Sequence, residues 1–131
     1  MERVTFEHGD QGGTYNGNPL LTAVGHAVLE AVLAPGFLAG VRARGERLAQ
    51  GLRSLAAQRG LGEVRGRGLL LALDLGRDLG GAVVEAARER GLLVNSPQPN
   101  TLRFMPALTV SADEIDAMLQ LLDRSLAAVD A

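Results

Sequence analysis

Two groups of residues in this chain have types and spacing suited to chemistry. The first is Thr14, in the stretch Gly9-Asp10-Gln11-Gly12-Gly13-Thr14-Tyr15-Asn16-Gly17-Asn18-Pro19. Four glycines in nine residues let the backbone approach another surface closely. Asn18 is a preferred N-cap and Pro19 suits a first helical position, so a helix is expected from there, with free amides turned back toward the loop. A hydroxyl, a flexible loop and a helix N-terminus can together hold a phosphate, although the spacing fits neither the Walker loop nor the dinucleotide fingerprint. An ordinary glycine-rich turn entering a capped helix accounts for the same residues. The second group is Arg103, between Leu102 and Phe104 in an extended run and therefore turned to the face opposite theirs. A guanidinium there is a fork for a carboxylate. A solvated strand face, or a pairing with a structural carboxylate, explains it equally well.

A third observation is an absence. All 13 basic residues are Arg and none is Lys, so this chain offers no amine for a Schiff base; a guanidinium stays protonated and delocalised and cannot replace one. There is no cysteine either, hence no disulfide framework, thiolate nucleophile or Cys-type zinc site, and a cytoplasmic protein is expected. His26 and His8 have no carboxylate cluster that would complete a metal site, so none is expected. A formal charge of −2, a pI near 5.6 and 3% aromatic residues argue against a nucleic-acid partner. No uncharged run reaches transmembrane length, so no membrane partner is expected. At 131 residues and 47% hydrophobic content, the chain can bury the core of one domain.

The elements that must position Thr14 and Arg103 follow from periodicity. Val4 and Phe6 alternate as in a short strand or an extended lead-in. Leu20, Leu21, Val24, Val28, Leu29 and Val32 recur at helical spacing until Pro35-Gly36 ends the run near Leu33. A second helix is expected from Phe37 to Arg59, with Leu38, Val41, Leu48, Leu52 and Leu55 inward and Gly60 as its stop. Leu69, Leu71, Leu73 and Leu75 alternate against Leu70, Ala72 and Asp74, a strand with one buried face, entered through a bend at Gly66 and Gly68. A helix over 78–90 places Leu79, Ala82, Val83, Ala86 and Ala87 inward. A short strand at Leu92-Leu93-Val94 follows, then a turn at Ser96-Pro97-Gln98-Pro99-Asn100, then a strand from Thr101 to Met105. Ser111 and Glu114 form a capping box for a last helix; capping accounts for Glu114 and solvent for Asp116. The order implies an α+β layer, a small, largely antiparallel sheet covered by helices.

The motifs are also familiar. Gly-Asp-x-Gly-x-Thr-Tyr-x-Gly-Asn-Pro-Leu resembles the segment that follows the lysine in class III pyridoxal-phosphate aminotransferases, nearest to acetylornithine aminotransferases. Those enzymes usually carry His, Ser, Phe and Gly where this chain has Gln11, Gly13, Tyr15 and Asn16. Val64-Arg65-Gly66-Arg67-Gly68 is similar to a strand of their small C-terminal domain. Leu102-Arg103-Phe104-Met105-Pro106-Ala107-Leu108 resembles their Ile-Arg-x-x-Pro-Pro-Leu segment, with Ala107 in place of a proline. The resemblance runs from Gly9 to the final helix and implies the C-terminal domain of a fold-type I aminotransferase. It divides the chain into residues 1–18, a loop from the end of a large cofactor domain, and 19–131, the small domain with its connecting helix.

It further implies an enzyme that moves an amino group from N-acetylornithine or a related ω-amino donor to 2-oxoglutarate in arginine biosynthesis, with pyridoxal 5′-phosphate as cofactor and a homodimer as the assembly. Thr14 would donate to the cofactor phosphate across the dimer interface, beside Gly13, which stands at a cofactor-binding position where the family often has an assisting side chain, so the contact there is expected to be thinner; Arg103 would grip the substrate carboxylate. Without a lysine the chain alone is expected to be inactive. A stand-alone, non-catalytic module that binds a carboxylate or mediates dimerisation is the alternative.

Overall fold

The computed structural model describes residues 7–10 and 12–129. The alternation expected at Val4 and Phe6 lies outside them. The chain divides into two compact units, Met1–Phe37 and Leu38–Ala131.

The first unit carries α1 (Pro19–Leu33). Its start and end fall where Asn18-Pro19 and Pro35-Gly36 direct them. Asn18 Oδ1 accepts from the amides of Leu20 at 3.0 Å and Leu21 at 3.3 Å, and its carbonyl accepts the first helical bond from Thr22 at 2.9 Å. Although the apolar residues recur at helical spacing, none on α1 is buried. Leu20, Leu21, Val24, Val28, Leu29 and Leu33 are each between 53% and 71% exposed.

The second unit holds one core. After α2 (Phe37–Arg59) come β1 (Val64–Arg67), β2 (Leu70–Asp74), α3 (Gly80–Glu89), β3 (Asn95–Gln98), β4 (Thr101–Phe104) and α4 (Ala112–Val129). The sheet is antiparallel throughout, in the order β1-β2-β4-β3. Leu71 and Leu73 of β2 and Leu102 and Phe104 of β4 enter the core with Leu48, Leu52 and Leu55 of α2, Val83 of α3, and Ile115, Leu122 and Leu126 of α4. The α+β architecture inferred from the pattern is therefore present. Leu69, Leu71, Leu73 and Leu75 are buried and Leu70 is exposed, as strand periodicity requires.

Helices α2 and α4 run alongside each other in the same direction, for Arg47 meets Asp116 and Arg59 meets Asp123. The Arg47 Nε donates to Asp116 Oδ1 at 2.9 Å. Asp116 is thus an interhelical partner and not merely solvated, and the Arg47 guanidinium holds its carboxyl below the usual range. The capping box forms as expected: the Glu114 amide donates to Ser111 Oγ at 3.2 Å and the Ser111 amide to Glu114 Oε2 at 2.7 Å. Those Ser111 contacts lower the Glu114 pKa.

Some local expectations do not hold. Leu92, Leu93 and Val94 form no strand, because the Leu92 amide is spent on the Ala87 carbonyl, closing α3 at 2.9 Å. The strand starts at Asn95 and runs through Ser96, Pro97 and Gln98, residues expected to form a turn. Pro97 is tolerated there because β3 is an edge strand with a bulge: Asn95 faces Arg103 and Gln98 faces Thr101, one extra residue on the β3 side. Leu38 and Ala82, expected inward, are exposed.

Candidate functional site

In the first unit, Thr14 opens a turn over residues 14–17 and is exposed. The Asn16 amide closes on the Gly13 carbonyl at 3.1 Å and the Asn18 amide on the Tyr15 carbonyl at 3.2 Å. A Cβ on Gly13 would meet the Asn16 side chain at 3.1 Å, a flexible neighbour, so glycine at 13 is not enforced by packing within this unit. The Thr14 hydroxyl has no hydrogen-bond partner among the described residues and is available to donate. The helix amides are not available. Pro19 has none, Leu20 and Leu21 give theirs to the Asn18 side chain, and Thr22 gives its own to the Asn18 carbonyl. The expected ring of free amides at the start of α1 is therefore absent, and Thr14 is what the loop can offer an anion.

In the second unit, β4 turns Leu102 and Phe104 into the core and Arg103 outward. The anchoring is firm because Leu102 is fully buried and Phe104 nearly so. The Arg103 Nε donates to Asn95 Oδ1 at 3.3 Å, from the β3 residue directly opposite it. No other hydrogen bond or ion pair engages Arg103 among the described residues, which leaves the terminal guanidinium nitrogens free to form a fork. Neither a structural carboxylate nor a buried pairing accounts for this arginine.

Two concavities adjoin Arg103. One, of about 150 Å³, is mainly apolar, lined by Leu48, Leu92, Val94, Phe104 and Met118, with Arg103 and Glu114 as its charged residues. The other, of about 500 Å³, opens over the uncovered sheet face and is lined by Arg65, Arg67, Leu70, Ala72 and Arg103. The sequence reading missed Asn95 as the partner of Arg103, since it lay beside a Ser-Pro-Gln-Pro run read as a turn. His26 is an exposed helix residue, 3.5 Å from Glu30, and no metal-binding cluster occurs among the described residues.

A model of the class-III aminotransferases matches residues 3–126, nearly the whole chain. The chain belongs to the class-III aminotransferase family. It is 61% identical over 124 residues to the acetylornithine aminotransferase of Ralstonia nicotianae, covering 92% of this chain and 31% of that protein. With acetylornithine aminotransferase 2 of Bordetella parapertussis it shares 54% over 131 residues, 98% of this chain and 33% of the relative. Among solved structures, the N-acetylornithine aminotransferase of Stenotrophomonas maltophilia superposes with a TM-score of 0.79 at 33% identity, over 86% of this chain and 32% of that one. An (S)-enantioselective omega-transaminase from Thermomicrobium roseum gives 0.81 at 31% identity, over 98% and 30%. This class-III chain thus spans about a third of the length of the relatives it matches. No single helix among its described residues is long and apolar enough to cross a membrane.

Proposed function

We propose that this chain is the C-terminal part of an acetylornithine-type aminotransferase, which transfers an amino group from N-acetylornithine or a related ω-amino donor to 2-oxoglutarate in arginine biosynthesis. Residues 1–18 are then the end of the large cofactor domain and 19–131 the small domain with its connecting helix. The observation that carries the reading is Arg103, pinned by Leu102 and Phe104, aligned by Asn95, and otherwise unengaged among the described residues. A planar fork held on a rigid strand orients a carboxylate at little further entropic cost.

The cofactor implied by the family is pyridoxal 5′-phosphate, which when bound supplies an electron sink for the substrate Cα. The residues present fit one contact to it. Thr14 has a free, exposed hydroxyl that can donate to a phosphate oxygen, in the homodimer from the neighbouring subunit, while Gly13 adds no side-chain donor. The amides of α1 are already used, so the rest of the phosphate's partners come from other segments. So does the amine, because this sequence has no lysine, and the chain by itself is inactive. Thr14 and Arg103 position; neither transfers the proton.

The test is a chimaera in which this chain replaces the matching third of the Ralstonia nicotianae enzyme, assayed for amino transfer from N-acetylornithine to 2-oxoglutarate. The chimaera is expected to be active and the isolated chain inactive. Replacing Arg103 with Gln should lower kcat/KM roughly 10- to 100-fold, the range expected for losing a charge-assisted contact. A folded chimaera without activity, or one indifferent to Arg103→Gln, overturns the proposal.

A further inference from the structure

The turn that carries Thr14 also exposes a reactive pair, Asn16-Gly17. These are the central residues of a turn that the Asn18 amide closes on the Tyr15 carbonyl at 3.2 Å, with Gly17 at φ +72°. Such a closure uses the outer groups of the turn and leaves the peptide between its central residues unbonded. The Gly17 amide and the Asn16 carboxamide accordingly have no hydrogen-bond partner among the described residues, and both residues are exposed. Gly17 has no Cβ to screen its nitrogen, and nothing lies within 4 Å of where one would stand.

The other asparagines lack this combination. Asn18 precedes Pro19, whose nitrogen bears no proton, and its Oδ1 accepts from the Leu20 and Leu21 amides. Asn95 precedes Ser96 and accepts from the Arg103 Nε at 3.3 Å. Asn100 precedes Thr101, whose hydroxyl donates to it at 3.2 Å, while its own Nδ2 donates to Asp74 at 3.4 Å.

We propose that Asn16 is a site of spontaneous deamidation, in which the Gly17 nitrogen displaces ammonia from the Asn16 side chain. Base removes the Gly17 amide proton and the nitrogen attacks Asn16 Cγ. The N–Cγ bond forms, the Cγ–Nδ2 bond breaks, and ammonia leaves with a proton. Water then opens the cyclic imide at either carbonyl, giving aspartate, or isoaspartate in which the chain runs through the former side chain. Nothing is oxidised or reduced, and water is the only co-reactant. Each event adds a negative charge to a chain of formal charge −2, in the same turn as Thr14. On the phosphate role proposed for Thr14, that charge repels the cofactor and weakens its binding.

The test incubates the chain at neutral and mildly alkaline pH, folded and in urea, and follows each asparagine by peptide mass spectrometry that separates aspartate from isoaspartate. Asn16 is expected to convert at least roughly fivefold faster than Asn95 or Asn100, each of which must first give up hydrogen bonding worth about 1 kcal/mol. Its rate should rise with pH, yield both products and change little in urea. Asn16→Gln should abolish the reaction there, because the larger ring closes far more slowly. Conversion at Asn16 no faster than at Asn95 or Asn100, or aspartate without isoaspartate, overturns the proposal. So does a several-fold acceleration of Asn16 in urea, since the turn would then be shielding it. In the chimaera, Asn16→Asp should weaken pyridoxal 5′-phosphate binding roughly fivefold, the ratio that about 1 kcal/mol from an exposed charge gives. An unchanged affinity there overturns the phosphate role of Thr14 and leaves the deamidation standing on its isoaspartate product.

Discussion

Gly66 and Gly68 flank Arg67 and should respond very differently to the same added methyl. Gly66 sits at φ +126°, and a Cβ there would lie 2.2 Å from the Leu70 carbonyl oxygen and 2.9 Å from the Leu71 Cα. Those are backbone atoms of the neighbouring strand, so no rotamer change relieves the clash. Gly68 is at φ +58°, with nothing within 4 Å of its Cβ position. For Gly68→Ala the cost is the left-handed conformation alone, about 1–2 kcal/mol. For Gly66→Ala, a sparsely allowed conformation and a forced backbone shift combine to about 4 kcal/mol. In a unit of this size each kcal/mol shifts Tm by about 4–8 °C, so Gly66→Ala should lose roughly 16–32 °C and Gly68→Ala roughly 4–16 °C. Thermal unfolding followed by far-UV circular dichroism measures both. Losses agreeing to within about 4 °C would refute the reasoning, because a shared positive φ would then be the whole effect and the close approach of β1 to β2 would contribute nothing.

Asn18→Ala should accelerate hydrogen exchange at the Leu20 and Leu21 amides, which donate to its side chain, and cost α1 about 0.5–2 kcal/mol. Because Arg47 depresses the Asp116 pKa, the pair stabilises the fold above the ordinary carboxylate range and loses that contribution as pH falls through the depressed value. Urea midpoints of Asp116→Asn and the parent should accordingly differ at neutral pH and converge in acid; a constant difference would contradict the ion pair. The exposed apolar residues of α1 predict self-association of the chain at high concentration, visible in sedimentation velocity. Val28→Glu should suppress it, and a parent that stays monomeric across concentrations would count against this.

Much of the structure is decided within a few residues. Asn18-Pro19 opens α1, Pro35-Gly36 closes it, Ser111 and Glu114 cap α4, and the alternating leucines of 69–75 define a buried face. Each depends on short-range hydrogen bonds or on the two-residue period of a strand, which adjacent side chains specify without outside help. The outward direction of Arg103 was legible for the same reason.

Long-range contacts decided the rest. Periodicity cannot tell which strands are neighbours, and only the order β1-β2-β4-β3 brings Arg65 into one row with Arg103. The sequence around Pro97 resembled a turn, yet an edge position with a bulge accommodates it and sets Asn95 against Arg103. Asp116 found its cation on another helix, 69 residues away. The apolar stripe of α1 was legible as helical spacing, but whether such a stripe is covered depends on what lies against it, and within this chain it stays open to solvent. The helix-start amides looked free from composition alone. Asn18 uses them, its side chain taking the Leu20 and Leu21 amides and its carbonyl that of Thr22, and with this the loop's capacity for an anion narrows to Thr14.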